Sequence, residues 1–149
     1  MKKIFVILFA ALIFAGCGQN SQAVNVEEAA PMKNSVTIQI NGKNFSAAFE
    51  NNPSAKKFLE LLPLEVETTE LNGNEKYFYL DENLPSDSVR VEKIHAGDVM
   101  LFGSNCVVIF YKDFLTGYSY TRLGKIENPD GLEKILGAGN VRVKFSKNF

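Results

Sequence analysis

From Val36 to Phe49 apolar and polar side chains alternate, with one interruption at Asn41-Gly42. Val36, Ile38 and Ile40 fall on one face of an extended chain, and Thr37 and Gln39 on the other. That period of two marks a half-buried strand. Asn-Gly suits a type I′ turn, which needs positive φ at both central residues. Phe45, Ala47 and Phe49 then resume the alternation, so the segment predicts a β-hairpin.

The same pattern recurs at Leu64, Val66 and Thr68, and at Val141, Val143 and Phe145. Val99 to Phe102 and Cys106 to Tyr111 are apolar throughout, which predicts strands covered on both faces, joined by Gly103-Ser104-Asn105. Lys76 to Leu80 and Tyr118 to Lys125 read as extended, and Leu71-Asn72-Gly73-Asn74 as a turn. Asn52-Pro53 opens a helix, since Asn caps free amides and Pro lacks the donor that the first turn would orphan. Ala55, Phe58, Leu59 and Leu62 form its apolar stripe, and Pro63 ends it. Asp130 to Leu136 reads as a second short helix closed by Gly137, and residues 81–92 as a loop too polar for the core. The class is mainly β: about eight strands and two short helices, as a barrel or a sandwich with helical plugs.

The amino terminus has a different character. Lys2 and Lys3 precede an unbroken apolar run from Ile4 to Ala15, well short of the roughly 20 residues of a spanning helix. A basic start, a short apolar run and small residues before a cut site describe an export signal. Phe14-Ala15-Gly16-Cys17 resembles a lipobox, which makes Cys17 the lipidated residue; Phe14 stands where Leu is usual, and plain secretion with a free Cys17 is the other reading. The expected organisation is a signal peptide over 1–16, a lipidated start and flexible tether over 17–34, and one domain over 35–149. The expected location is the bacterial cell envelope, lipid-anchored to a membrane with the domain outside the cytoplasm. Stable anchoring takes two acyl signals or more, which a diacylated, N-acylated cysteine meets.

Without Lys2 and Lys3, fourteen basic residues face seventeen acidic ones, a formal charge of −3. That balance argues against a nucleic-acid partner, which wants a clustered basic face. Once Cys17 is assigned, Cys106 is the remaining cysteine, so no internal disulfide forms and packing alone stabilises the domain. A monomer is expected.

The segments Asn52-Pro53-Ser54-Ala55-Lys56, Leu62-Pro63-Leu64, Glu75-Lys76-Tyr77, Gly97-Asp98-Val99-Met100-Leu101, Ile109-Phe110-Tyr111 and Tyr118 to Ile126 resemble, in that order, the bacterial cyclophilin-like domain proteins. The resemblance spans about Val36 to Phe145 and implies a closed eight-stranded barrel with helices at its ends. Fold alone does not imply function. Cyclophilins that isomerise X-Pro bonds carry a Phe-His-Arg segment, and the matching Tyr77-Phe78-Tyr79-Leu80 has no arginine. Their Gln-Phe-Phe strand matches Val107 to Phe110 without the glutamine, and their histidine ahead of a Phe-Gly-Lys-Val turn falls on Tyr120. The isomerase machinery is therefore expected to be missing.

Other chemistry finds little support. His95 is the one histidine and no Cys-x-x-Cys occurs, so neither a metal nor a cofactor is expected. Glu65 and Glu67 share a strand face and read as a wet surface, and Gly137-Ala138-Gly139 follows a helix rather than opening one. Tyr118, Tyr120 and Arg122 point the same way in an extended chain, with Tyr111 and Phe114 upstream. Aromatic faces beside a guanidinium suit recognition of a peptide or small molecule. The competing reading has the rings covering the barrel wall and Arg122 stacked on a tyrosine. Three functions follow: a non-catalytic binding module using Tyr118, Tyr120, Arg122, Tyr111 and Phe114, a prolyl isomerase with Arg122 replacing the lost arginine, or a purely structural partner of another membrane protein.

Overall fold

In a computed structural model that describes residues 34–137 and 139–148, the hairpin forms as β1 (Ser35–Ile40) and β2 (Lys43–Phe49). Asn41 and Gly42 both take positive φ, 47° and 79°, as the turn requires. The helix α1 (Pro53–Glu60) starts where the Asn52 side chain accepts from the Ala55 amide at 2.8 Å. Then come β3 (Leu64–Leu71), β4 (Glu75–Tyr79), and the two-residue strands β5 (Val89–Arg90) and β6 (Lys93–Ile94). The chain continues through β7 (Asp98–Phe102), β8 (Cys106–Phe110), short β9 (Phe114–Leu115), β10 (Ser119–Ile126), α2 (Leu132–Leu136) and β11 (Val141–Lys147). The signal segment 1–16 and Cys17 lie outside the described residues, as does nearly all of the tether.

Eight strands close into an antiparallel barrel in the order β2-β1-β11-β3-β4-β8-β7-β10, with β10 returning to β2. β5 adds to the free side of β10, and β6 pairs with β9 in a separate ribbon. The fold is thus the barrel of the two architectures the strand pattern allows. Closure depends on Gly124, which sits opposite Phe49 in the β10–β2 register. A Cβ there would lie 2.8 Å from the Ala48 carbonyl oxygen and 2.8 Å from the Phe49 ring. A register shift between Arg122 and Gly124 in the β10–β7 pairing re-aims β10 at this seam.

The barrel interior is filled from its walls and its ends. Phe58 of α1 stacks on Phe49 and meets Phe145 edge-on, each at 5.4 Å between centroids. Leu132 and Leu136 of α2 enter the same core from the opposite end, where the Asn41 side chain donates to the Ile135 carbonyl. The segment 81–92 departs from the polar loop expected of it: Leu84 is buried in the interior core, and Val91 in a second cluster outside the wall. That second cluster, with Met100, Cys106, Val108, Phe110 and Tyr120, is why β7 and β8 are apolar on both faces.

Lys76 faces the interior near the α2 end and is fully buried. Its ammonium pairs with the Glu70 carboxylate and donates to the carbonyls of Gly137, at 3.0 Å, and Gly139. Tyr111 donates to the same carboxylate at 2.8 Å. Burial opposes ionisation of Glu70, but the bonds from Lys76 and Tyr111 prevail and hold its pKa below the usual glutamate value.

Gly124→Ala should destabilise the domain by about 3 kcal/mol, the upper end for overpacking, because one of the blocking atoms is backbone. Urea unfolding reads this directly, and a loss below roughly 0.5 kcal/mol would mean the seam yields without strain.

Candidate functional site

On strand β4 successive side chains alternate across the wall: Lys76 and Phe78 turn inward, while Glu75, Tyr77 and Tyr79 face out. β8 pairs with β4 and brings Cys106 and Val108 alongside, opposite Tyr79 and Tyr77. Phe102 of β7 and Tyr120 of β10 extend this floor. The chain from Phe114 to Tyr118 stands over it as a wall, held by the β6–β9 ribbon and by the Thr116 amide donating to Glu92 at 3.1 Å. The turn after β3 closes one end with Leu71, Asn72 and Asn74. The result is an open groove of about 660 Å³ on the outside of the barrel.

Rings dominate its lining. Tyr118 meets Phe102 edge-on at 6.1 Å, Phe102 reaches Tyr120 at 5.7 Å, Tyr120 meets Phe110 edge-on at 5.5 Å, and Phe110 reaches Phe114 at 5.7 Å. Tyr77 and Tyr79 form a second edge-on pair at 5.8 Å. These interlocked rings fix one wall and the floor with little rotamer freedom left to lose. Six large hydrophobic side chains are exposed among the described residues, and five of them, Leu71, Tyr79, Phe102, Leu115 and Tyr118, border this groove.

Two polar groups at the closed end stand out. Glu75 is 9% exposed, and no hydrogen bond or ion pair to its carboxylate occurs among the described residues. Burial, and then the nearby Glu70 charge, push its pKa above the usual value. The Asn74 side-chain oxygen is buried and accepts no hydrogen bond. Cys106 is buried in the floor, and burial followed by the Glu75 charge pushes its thiol pKa up, the opposite of a reactive cysteine.

Of the residues singled out from the sequence, Tyr118, Tyr120 and Phe114 line the groove. Tyr120 is 5% exposed and belongs to the outer packing cluster, whereas Tyr118 is 65% exposed. Arg122 shares the outer face, opposite Met100, but lies beyond the groove, and its carbonyl accepts from the Asn52 side chain at 2.8 Å. No tyrosine lies under its guanidinium; the cation–π contacts among the described residues belong to Lys43 and Lys76. Tyr111 does not reach the groove, because it follows outward Phe110 by one residue and turns into the interior core. Glu75, Asn74, Tyr77 and Tyr79, not among the residues that the sequence singles out, line it as well. Their signal was the alternation through Glu75-Lys76-Tyr77-Phe78-Tyr79, which sets one carboxylate on the face of two tyrosines. His95 is a half-exposed loop residue 3.8 Å from Asp98, and among the described residues no cluster of three or more His, Cys, Asp or Glu is placed to hold a metal.

Comparison with known proteins bears on the barrel. The sequence pattern of the cyclophilin-like family matches residues 38–146. No curated protein matches the chain. Among solved structures, the solution structure of the hypothetical protein AF2241 from Archaeoglobus fulgidus is similar, with a TM-score of 0.55 and 15% identity over 80% of this chain and 98% of that one. At that identity the likeness concerns the fold.

Glu75→Gln should raise the melting temperature by a few degrees at pH 7. An acid whose folded pKa is raised binds its proton more tightly when folded, so it weakens the fold as pH rises above the ordinary value of 4.5. Thermal melts of the two proteins should therefore coincide below that pH and separate above it; parallel curves throughout would mean that Glu75 has a partner after all.

Proposed function

The chain belongs to the cyclophilin-like family, and we propose that its barrel is a non-catalytic module that binds a peptide segment or small molecule in the outer groove. The observation that carries this reading is the gathering of exposed large hydrophobic side chains on the rim of one aromatic-floored cavity. Against catalysis of prolyl isomerisation stands the lining itself. The positions resembling the isomerase arginine segment and histidine contribute Tyr77, Tyr79 and Tyr120 to the groove, and no arginine lines it. Arg122, the one candidate substitute, lies outside.

The amino-terminal residues support a location for this module. Lys2, Lys3, the apolar run and Ala15-Gly16-Cys17 fit export followed by lipidation of Cys17. On this reading the domain is held at a bacterial membrane, outside the cytoplasm, by a tether that leaves the groove free to meet its ligand.

Tyr79 and Tyr118 are 66% and 65% exposed, so truncating them leaves the core untouched. Tyr79→Ala with Tyr118→Ala should weaken capture of peptides selected on the immobilised wild-type protein by about 10- to 100-fold, at roughly 1 kcal/mol per ring. The melting temperature should stay within about 3 °C. Unchanged capture would move the site elsewhere. Wild-type protein added in excess to a proline-containing peptide should leave its cis-to-trans relaxation rate unchanged, and acceleration would restore the isomerase.

For the anchor, Cys17→Ser should shift the protein from the membrane to the soluble fraction of a lipoprotein-processing bacterium. Mass spectrometry finding an unmodified Cys17 in the wild type would remove the anchor and leave the barrel reading intact.

A further inference from the structure

The closed end of the groove carries acceptors with nothing to accept from. Glu75 is nine-tenths buried as a residue, and its carboxylate makes no hydrogen bond or ion pair among the described residues and opens onto the groove; the Asn74 side-chain oxygen beside it in sequence is buried and unbonded. Buried polar groups are almost always paired, because each unpaired one costs on the order of 1–3 kcal/mol and a lone carboxylate more. Glu75 opens onto the cavity, so a bound molecule can reach its carboxylate, whereas the Asn74 side-chain oxygen lies behind the cavity surface. Tyr77 shares the face and the strand with Glu75, and Tyr79 follows it.

We propose that this end of the groove binds an organic ammonium group, carried on an apolar body that lies along the tyrosine and phenylalanine rings. An ammonium offers three donors and one positive charge, which match an unpaired carboxylate in both respects. Tyrosine faces attract the same cation. A neutral ligand would leave Glu75 unmatched, and an anionic one would be repelled.

The charges around the groove agree. No lysine or arginine lines it, although Arg90 comes against Gly117 on the rim. A neighbouring cavity shares Tyr77 and Tyr79 as a wall and is lined by Glu65, Glu67, Asp81 and Glu82. Arg142 offsets Glu65 and Lys57 offsets Glu82, while Glu67 and Asp81 make no ion pair among the described residues. Among the described residues Glu75, Glu67 and Asp81 are thus the unpaired carboxylates on this side, with Arg90 the one cation at the rim, a balance that favours a cation's approach. Inside the wall the protein matches Lys76 with Glu70; outside, it leaves Glu75 unmatched.

The inference rests on the groove being a binding site, and the two can fail separately. Amide shifts of the ¹⁵N-labelled full chain are followed on adding phenethylamine, its neutral isostere 2-phenylethanol, and the end-blocked dipeptides acetyl-Phe-Lys-amide and acetyl-Phe-norleucine-amide. The amine-bearing probe of at least one pair should move residues 74–79 and 116–120 at concentrations at least tenfold lower than its neutral counterpart. Glu75→Gln should abolish that difference. Preference for the lysyl dipeptide assigns a peptide source, and preference for phenethylamine a free amine. Amine and neutral probes perturbing the wild-type groove equally would overturn the ammonium site and leave the groove as a binding site. No perturbation of the groove by any of the four would overturn both.

Discussion

The rest of the molecule depends on the seam between β10 and β2. A closed barrel has no free edge, so each strand's backbone groups are paired by its two neighbours. Here the last pairing requires two backbones to approach so closely at Gly124 that no side chain fits. The irregularity in β10 just before it turns the strand toward its partner while Tyr120, upstream, keeps its place on the outer wall. Closure then fixes the spacing of β4, β8, β7 and β10, the strands whose outward residues make the groove floor. A surface built on a closed sheet is preorganised, so the binding proposed there would cost little ordering entropy.

Two adjacent residues show how one wall divides its tasks. Lys76 is the more severe burial, an ammonium with no exposure, yet it is matched by a carboxylate, two backbone carbonyls and the flank of the Tyr111 ring. Removing Glu70 would leave that ammonium stranded, so this cluster is a structural unit whose parts hold each other in place. Glu75, one residue earlier and on the opposite face, has the burial without the partners. Locally favourable choices run through most of the chain, and a conflict of this kind is expected where stability yields to function.

Much of the scaffold was legible because it follows local rules. The Asn41-Gly42 hairpin, the Asn52 cap and the doubly covered β7 and β8 each rest on residues within a few positions of one another. The groove was legible only in part, because it joins residues of six strands and two connections. Parity errors are cheap to make at strand ends: Tyr111 sits one residue past an outward Phe110 and so belongs to the interior. Arg122 has the right face and the wrong neighbours, since the groove stops at Tyr120. Leu84 lies among polar residues, and only tertiary packing shows that it plugs the core. Glu75 reads as an ordinary charged strand residue, because exposure of a carboxylate is the default and nothing local signals that strands β3 and β8 flank it on both sides.

The resemblance to prolyl isomerases sharpens what this groove can do. The isomerases that this chain resembles carry an arginine in that segment; here the corresponding stretch supplies Tyr77 and Tyr79, and the charge at the groove's end is the carboxylate of Glu75. A positive charge in that segment thus gives way to a negative one beside it. Reversal of charge changes which ligands are tolerated more than how tightly an apolar body packs, because like charges repel strongly in a partly desolvated cavity and rings are indifferent to sequence. A fold shared with peptide-handling enzymes thus becomes, in the proposed reading, a surface that selects by charge at one end and by apolar area along its length.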